Sequence, residues 1–517
     1  MKKYLVLFLV IGLVFTNCKK NDDDFVLTPN PVAEQESEEE EEEEVVPVAK
    51  LVSDYPVQDF MWQTMNLYYF WQADVVDLAD TKNDVEADYA EFLSTEADPS
   101  DFFFKICNNH VNVVGDASAI DRFSFLDEDY RNLVQGFAGI SKSDGVEFGL
   151  ARYGANNVFG FVRYIVPGSN AEGKDINRGD IFIGINGTDL TLDNYIDLLF
   201  GDLDTYIMNF ATIEDNTISP NGRELSLTKE EGLNENPILI SKVIEQGGLK
   251  IGYLLYNSFV ADYDEQLNDA FGEFKAMGVN ELILDFRYNG GGRVSSAVQI
   301  ASSVYGTNTQ EVFLTPRFNA KLQAANGSPD NFTDTTIDNT PLNALNLSRV
   351  YVITTSSTAS ASELVINGLE PYVDVVQVGT TTRGKNEFSL TFVDDPEAGN
   401  IYNPDREANI NPANQWAIQP LIGRNENADG FSDYTAGLAP DHELEEDIVN
   451  LGNLGDPTEP LLALALNTIS SASGKSSFEP VFPVELISSS AIKKVTNNKM
   501  LMDGLITAET ISKGSNK

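Results

Sequence analysis

Between residues 249 and 378 the sequence alternates short apolar stretches, typical of buried strands, with longer amphipathic stretches, typical of helices. Strands are predicted at 249–256, 281–286, 349–354 and 373–378, and helices at 264–277, 294–304 and 360–369. Strand–helix–strand order requires crossover connections, so this region is predicted to form a largely parallel or mixed sheet covered by helices. In such sheets, functional side chains gather in the loops beyond the carboxyl ends of the strands.

The first of these loops reads DFRYNGGG over residues 285–292. Successive glycines let the backbone approach a ligand and aim free amides at an anion, although glycines also serve plain turns. No Gly-Lys-Ser or Gly-Lys-Thr sequence closes the loop, which disfavours a nucleotide-binding P-loop.

The second loop, residues 355–363, places Ser360 and Glu363 at the start of a predicted helix. A hydroxyl there lies in positive potential, beside amides that can stabilise an oxyanion. The same Ser-x-x-Glu spacing is a capping box, in which the serine only satisfies helix amides. On these four residues alone, capping is the commoner role.

The third loop, residues 379–386, contains Lys385. A loop lysine is usually a solvated cation. It can act as a general base only if burial or a nearby positive potential lowers its pKa from about 10.4 to roughly 7–8. A lysine packed behind the start of the 360–369 helix would meet both conditions.

Together the three loops resemble those of the C-terminal processing (tail-specific) peptidases. Members of that family carry DxRxNGGG, SASASE and a GK loop in this order, and this chain has DFRYNGGG, TASASE and TTRGKN. The resemblance implies that Ser360 is the nucleophile and that Lys385, 25 residues later, is its general base. It also implies an oxyanion hole formed by the amides of Ala361 and of a glycine of the triplet, Gly292 in preference to Gly291. No metal or cofactor is implied.

Two positions depart from the family pattern. Many members have a glutamine four residues after the lysine that orients it, and here Ser389 stands there. Ser389 itself or another loop is therefore expected to orient Lys385. An aspartate that many members carry eleven residues after the serine is replaced by Pro371.

A second resemblance lies between residues 148 and 190, where the segments FGL, VPGSNA and RGDIFIGINGTDL follow one another. This set is similar to the PDZ domain of processing proteases. The resemblance implies that a peptide adds to it as a strand and that the loop Phe148-Gly149-Leu150 captures the peptide's terminal carboxylate. Alternating apolar residues that end in Asn186-Gly187 predict a strand and a tight turn.

The N-terminus carries Lys2 and Lys3, an apolar stretch at 4–16, and then Cys18. This order is typical of a signal peptide, and the stretch is too short to span a bilayer. It resembles the lipobox of bacterial lipoproteins, which implies lipidation of Cys18. Attachment to a membrane is therefore expected only through that lipid, on the periplasmic or surface face of the outer membrane in the cell envelope.

Composition limits the partners. The net charge of −46 excludes a basic face for nucleic acid. With only two histidines and two cysteines, the sequence has no zinc-type ligand spacing. Polypeptides remain the expected partners.

The predicted fold is a multidomain α/β arrangement with a catalytic core of the processing-peptidase (crotonase-like or ClpP-like) type. The predicted segments are a signal peptide (1–18), a disordered acidic tether (19–50), a helical N-terminal domain (51–135), a PDZ-like β domain (140–235), a catalytic domain (236–470) and a tail without a predicted role (471–517). An aromatic run at 60–71 predicts a buried helix in the N-terminal domain.

The predicted function is a serine endopeptidase that cleaves unfolded or tail-exposed envelope proteins with a Ser360–Lys385 dyad. Two alternatives remain open. In the first, as in tricorn-like peptidases, a histidine that precedes the PDZ-like unit is the base, and His110 is the only candidate. In the second, the chain is a catalytically inactive lipoprotein that binds peptides.

Overall fold

The computed structural model describes residues 50–470, 482 and 484–502. The predicted signal peptide, the lipidation site Cys18 and the acidic tether up to residue 49 lie outside the described residues. None of the helices in the described ranges has the length and apolar character needed to cross a bilayer.

Eleven α-helices occur in the described ranges. They are α1 (Pro56–Tyr68), α2 (Glu86–Leu93), α3 (Pro99–Lys105), α4 (Val111–Val114), α5 (Tyr130–Phe137), α6 (Tyr195–Phe200), α7 (Asp264–Met277), α8 (Val294–Val304), α9 (Gln323–Asn326), α10 (Ala361–Leu369) and α11 (Pro460–Ile469).

The strands of the same ranges are β1 (Phe125–Asp127), β2 (Ile140–Ser143), β3 (Val146–Tyr153), β4 (Asn157–Ile165), β5 (Ile181–Ile185), β6 (Thr188–Asp189), β7 (Thr205–Glu214), β8 (Thr217–Thr228), β9 (Glu230–Asn234), β10 (Ile238–Gln246), β11 (Leu249–Tyr256), β12 (Glu281–Asp285), β13 (Gly291–Arg293), β14 (Val312–Phe318), β15 (Asp330–Asn331), β16 (Arg349–Thr354), β17 (Asp374–Gly379), β18 (Glu387–Ser389), β19 (Phe392–Val393), β20 (Ala417–Gln419), β21 (Leu421–Glu426), β22 (His442–Glu443), β23 (Glu485–Ser489) and β24 (Lys499–Leu501).

The N-terminal region is helical, as predicted, but its first helix is shifted along the sequence. Helix α1 begins at Pro56, whose fixed φ suits the first helical turn, and it ends at Tyr68. The predicted helix at 60–71 was therefore wrong at its end. The chain turns away there because the amide of Phe70 donates to the carbonyl of Leu421 at 2.9 Å. The buried aromatic side chains of α1 share one core with the apolar side chains of β11, β12 and β16.

The middle region is a seven-stranded β sheet in the order β23-β3-β4-β5-β7-β8, with β6 paired to β5. Its apolar side chains form a core of their own, with Phe148, Leu150 and Phe182 at its centre. The predicted tight turn after β5 is confirmed, since Asn186 and Gly187 both have positive φ (52° and 76°). Strand β23, at one edge, comes from the C-terminal segment and was not predicted.

The region predicted to be catalytic, residues 236–470, contains a six-stranded sheet in the order β10-β11-β12-β16-β17-β22. Strands β11, β12, β16 and β17 run parallel, and β10 is antiparallel to β11. The prediction of a largely parallel or mixed sheet is confirmed. The ranges of β11, α7, α8 and β16 agree with the prediction residue by residue. Helix α7 stops as predicted because Gly278 adopts the left-handed conformation that closes a helix.

A second six-stranded sheet lies beside it, in the order β13-β24-β18-β21-β14-β15. Strand β13 contains the last two glycines of the DFRYNGGG loop, and β18 begins two residues after Lys385. Between them lies β24, again from the C-terminal segment, parallel to both neighbours. The two loops that flank Ser360 are therefore bridged by a strand from the tail.

Candidate active site

Hydrogen bonds to backbone carbonyls hold the glycine loop (285–292) and the serine loop (355–363) in place. The carbonyl of Asn289 accepts from the amide of Ala359 at 3.0 Å, and the Asn289 side chain donates to the carbonyl of Tyr256 at 2.8 Å. The hydroxyl of Thr358 donates to the carbonyl of Phe286 at 2.8 Å. The end of β12 therefore sets the position of the turn that leads into α10.

Ser360 lies at that turn and is fully buried. Its backbone has φ 66° and ψ −115°, a conformation that costs a non-glycine residue about 1–3 kcal/mol. A capping serine normally has extended backbone angles and a hydroxyl that accepts from the helix amides. The hydroxyl of Ser360 has no hydrogen-bond partner among the residues that the structure describes. Only the Glu363 half of the predicted capping box is formed, with the Ser360 amide donating to Oε2 at 2.7 Å.

The carboxylate of Glu363 also binds the lysine loop. Its Oε1 accepts from the hydroxyl of Thr382 at 2.5 Å and from the amide of Gly384 at 2.7 Å, and its Oε2 accepts from the amide of Lys385 at 2.9 Å. The side chain is fully buried, and burial raises the pKa of the Glu363 carboxyl. The capping-box spacing identified Glu363 in the sequence, but it did not predict that Glu363 also binds the lysine loop. Glu363 thus joins the start of α10 to the loop that carries the lysine.

Lys385 is completely buried, as a general base of this kind requires. Burial lowers the pKa of its ammonium to about 8, although the nearby carboxylates of Glu387 and Glu363 act in the opposite direction. Nζ donates a hydrogen bond to the carbonyl of Glu387 and lies 5.5 Å from the centre of the Phe123 ring. A substantial fraction of the side chain is therefore neutral near pH 8.

The amides predicted for the oxyanion hole differ in availability. Ala361 is the first residue of α10, where an amide has no acceptor within the helix. The prediction for Gly291 is corrected, because its amide donates to Oδ1 of Asn289 at 2.9 Å. Gly292 lies opposite Phe259, and the residues on either side of Gly292 make the hydrogen bonds. The Phe259 amide donates to the Gly291 carbonyl, and the Arg293 amide donates to the Phe259 carbonyl. Backbone groups alternate in direction along a strand, so the amide of Gly292 points to the other side, towards β24.

Ser389 does not have the contact expected of a residue that orients the base. It is buried in β18, and within the described part of the chain it makes no hydrogen bond to Lys385. The carbonyl of Glu387 holds Nζ instead. Among the described residues Ser389 therefore makes no hydrogen bond that would orient the lysine, and the group that holds Nζ is a backbone carbonyl of the same strand, β18, rather than another loop.

The residues Phe148, Gly149 and Leu150 are corrected from loop to strand, because they lie in the middle of β3. Phe148 and Leu150 point into the core of the β region. Gly149 is opposite Ser489 of β23, and the amide of Phe148 donates to the hydroxyl of Ser490 at 3.0 Å. These residues line the sheet edge at which a strand is added.

His110, the alternative base, has both ring nitrogens engaged. Nδ1 accepts from the amide of Asn112 at 3.1 Å and caps α4, so Nε2 carries the hydrogen donated to the carbonyl of Ser124 at 2.9 Å. The ring stacks on Phe104, and burial lowers its pKa. This geometry is that of a structural histidine.

One contributor from the N-terminal region was missed. The guanidinium of Arg122 donates to the carbonyl of Gly384 at 2.6 Å and to that of Thr435 at 3.3 Å. Its positive charge favours the neutral form of Lys385. No motif surrounds Arg122, so only the tertiary contact reveals it.

The chain is similar to known peptidases in sequence and in fold. A profile of peptidase family S41 matches residues 250–422, and a profile of the S41 N-terminal domain matches residues 56–125. Two carboxyl-terminal-processing proteases, from Picosynechococcus sp. and Synechocystis sp., are 26% and 22% identical over 44% and 59% of this chain. The matched stretches cover 51% and 63% of those relatives. A solved structure from Bacteroides fragilis NCTC 9343, classified with the S41 proteases, aligns with a TM-score of 0.62 and 26% identity, over 80% of this chain and 98% of its own.

Proposed function

The chain belongs to peptidase family S41, and from that premise we propose that it is a serine endopeptidase in which Ser360 is the nucleophile and Lys385 the general base. One observation carries the assignment. The carboxylate of Glu363 accepts hydrogen bonds from the backbone amides of both residues. Ser360 is strained and buried with an unbonded hydroxyl, and Lys385 is buried with a pKa of about 8.

The reaction follows from the groups present. Neutral Lys385 takes the proton of the Ser360 hydroxyl, and the resulting oxygen nucleophile attacks a peptide carbonyl. The amides of Ala361 and Gly292 stabilise the oxyanion, where two such donors contribute several kcal/mol, about 3 each. The Lys385 ammonium then protonates the leaving amine. Water, deprotonated by the same lysine, releases the acyl group from Ser360.

The substrates are proposed to be unfolded or tail-exposed polypeptides, recognised by a PDZ-like mode. The edge of β3 supports this proposal, because the chain's own strand β23 pairs there antiparallel, and a peptide in its place can be held by the same main-chain hydrogen bonds. The name of the relatives from Picosynechococcus sp. and Synechocystis sp., carboxyl-terminal-processing protease, agrees with recognition of chain ends.

Location in the cell envelope is proposed from the N-terminal sequence, with lipidation of Cys18 on the periplasmic or surface face of the outer membrane. Labelled palmitate is expected in the wild-type chain expressed in a bacterium and absent from Cys18→Ser. Cys107→Ser is the matched control, because the only other cysteine is buried and should not affect labelling.

The test of activity is cleavage of β-casein, an unfolded protein, by residues 50–517. Ser360→Ala and Lys385→Ala are expected to lose at least about 1,000-fold in kcat/KM while keeping the far-UV circular dichroism of the wild type. Full activity in Lys385→Ala would show that another group is the base.

Peptide binding without catalysis is the second candidate, and one observation favours it. Nζ of Lys385 donates to Glu387, and Oγ of Ser360 has no partner in the described ranges, so the two groups are not hydrogen-bonded to each other. A wild-type chain that binds C-terminal peptides but cleaves no substrate between pH 6 and pH 10, roughly the window set by the lysine, would establish this candidate.

A further inference from the structure

The C-terminal segment, residues 484–502, enters the molecule at the two places that a peptide substrate must use. Its first strand, β23, pairs with the edge of β3. Its second strand, β24, lies between β13 and β18, the strands that flank Ser360 and follow Lys385. The chain therefore places two short strands of its own C-terminal segment, with a 3-10 helix at Ser490–Lys493 between them, at the β3 edge and beside the nucleophile.

At the β3 edge the segment is held by specific polar contacts. The hydroxyl of Ser490 accepts from the amide of Phe148 at 3.0 Å and donates to the carboxylate of Glu147 at 2.7 Å. Nζ of Lys494 forms ion pairs with Glu235 at 2.6 Å and with Glu147 at 3.1 Å. These side-chain contacts anchor the segment, and the β23–β3 ladder supplies the backbone pairing that strand addition gives to a bound peptide.

At the nucleophile the segment lies against the catalytic backbone. A β-carbon added to Gly291 would be 2.5 Å from the carbonyl oxygen of Lys499 and 2.6 Å from Cβ of Ser360. The amide of Gly292, proposed for the oxyanion hole, points towards the same strand. The Lys499 carbonyl and the Ser360 side chain are therefore both packed closely against Gly291.

The Lys499 side chain makes this end of the segment less favourable. It is half-buried, with Nζ 3.5 Å from the centre of the Phe125 ring and donating to the carbonyl of Phe123 at 3.2 Å. Burial, and then the charge of Lys385, hold the pKa of Lys499 well below its usual value. The charge of Lys385 disfavours the charged form of the Lys499 amine, so β24 is held by the burial of Met500 and Leu501 and by the β23 contacts rather than by this ammonium.

We propose that residues 484–502 are an intramolecular peptide ligand of the substrate path, so that a polypeptide substrate must displace them to reach Ser360. The inference rests on the proposed function of Ser360 and specifies the binding mode of the substrate as an extended strand. Substrates and the segment then compete for one site. An open fraction of about one tenth would lower the apparent affinity for substrate roughly tenfold.

The experiment compares residues 50–517 with residues 50–483 in β-casein cleavage. The shorter chain is expected to have a kcat/KM about tenfold higher or more. A synthetic peptide of residues 484–502 is expected to bind the shorter chain in fluorescence anisotropy and to inhibit it competitively. The same peptide should bind the longer chain at least about tenfold more weakly, because its site is already filled.

A second variant covers the case in which the shorter chain does not fold, because Met500 and Leu501 belong to buried clusters. Lys494→Glu in the longer chain removes both ion pairs and places a third carboxylate beside Glu147 and Glu235. It is expected to raise kcat/KM several-fold. Lys275→Glu, the same change of charge on the exposed face of α7, is the matched control and is expected to change nothing.

The outcomes separate this inference from the proposed function. Peptide binding without cleavage by either chain would support the tail site and refute the peptidase assignment. Cleavage that is equal in both chains and in Lys494→Glu, with no binding of the peptide, would refute the tail site and leave the peptidase assignment standing.

Discussion

The amide of Lys385 and the carboxylate of Glu363 are joined by a hydrogen bond of 2.9 Å, inside a region closed to solvent. The same carboxylate oxygen accepts from the amide of Ser360 at 2.7 Å. A buried carboxylate costs free energy unless it is fully hydrogen-bonded, and here four donors satisfy it. The backbones of the base and the nucleophile are therefore positioned by one group, although Nζ of Lys385 donates to the Glu387 carbonyl and the Ser360 hydroxyl has no partner in the described ranges.

The pH dependence of cleavage should report Lys385. Its pKa of about 8 means that the ammonium loses its proton as the pH rises through that value, and only the neutral amine can accept a proton from Ser360. We expect kcat/KM for a peptide without ionisable groups to rise tenfold per pH unit below about pH 8 and to level off above it. A profile that is flat between about pH 6 and pH 9 would contradict the assignment.

Glu363→Gln should reduce catalysis and move this profile. An amide side chain offers one acceptor oxygen in place of two, so the lysine loop loses hydrogen bonds, and we expect kcat to fall about 10- to 100-fold with little change in KM. The negative charge of Glu363 raises the pKa of Lys385, so its removal should shift the rising limb to lower pH. If Glu363 had only a structural role, Glu363→Gln would leave the rising limb of the pH profile at the same pH.

Arg122→Met should shift the pH profile in the direction opposite to Glu363→Gln. The guanidinium favours the neutral form of Lys385, so its loss should shift the rising limb to higher pH. Arg122→Lys keeps the charge and should shift it little. Stopped assays over a pH series should be run for Glu363→Gln, Arg122→Met and Arg122→Lys. Unfolding midpoints measured in parallel would distinguish an effect of charge on the Lys385 pKa from an effect on folding.

His110→Ala should affect stability and leave the chemistry intact. Both ring nitrogens are hydrogen-bonded and the ring stacks on Phe104, so we expect a loss of about 1–3 kcal/mol in the free energy of unfolding. The pH midpoint of kcat/KM should not move. Loss of activity in a folded His110→Ala protein would revive the Ser–His alternative, with His442→Ala, an exposed histidine, as control.

Arg287→Met tests the support behind the glycine loop. Arg287 is completely buried and pairs with Asp285 at 2.7 Å and Glu459 at 2.7 Å. Its removal leaves two buried carboxylates without their cation, so we expect a loss of about 3–5 kcal/mol in unfolding free energy, measured with urea. Arg349→Met removes an exposed pair with Asp374 and should cost at most about 1 kcal/mol.

Much of the catalytic region was predictable because its signals are local. The ranges of β11, α7, α8 and β16 agree with prediction, since each has a clear apolar period and a defined end. Ser360 and Lys385 were found by motif order and spacing, which are properties of the chain itself. The sequence by itself therefore determined the type of sheet and the residues to test as nucleophile and base.

The tertiary structure alone decided how those residues are held and what covers them. The contact of Glu363 with the lysine loop, the approach of Arg122 and the strands β23 and β24 all join segments far apart in the chain. The three residues of β24 are too few to show a period, and their pairing energy comes from partners near residues 291 and 389. Such pairing depends on where the rest of the chain has folded, and no local pattern in residues 484–502 encodes it.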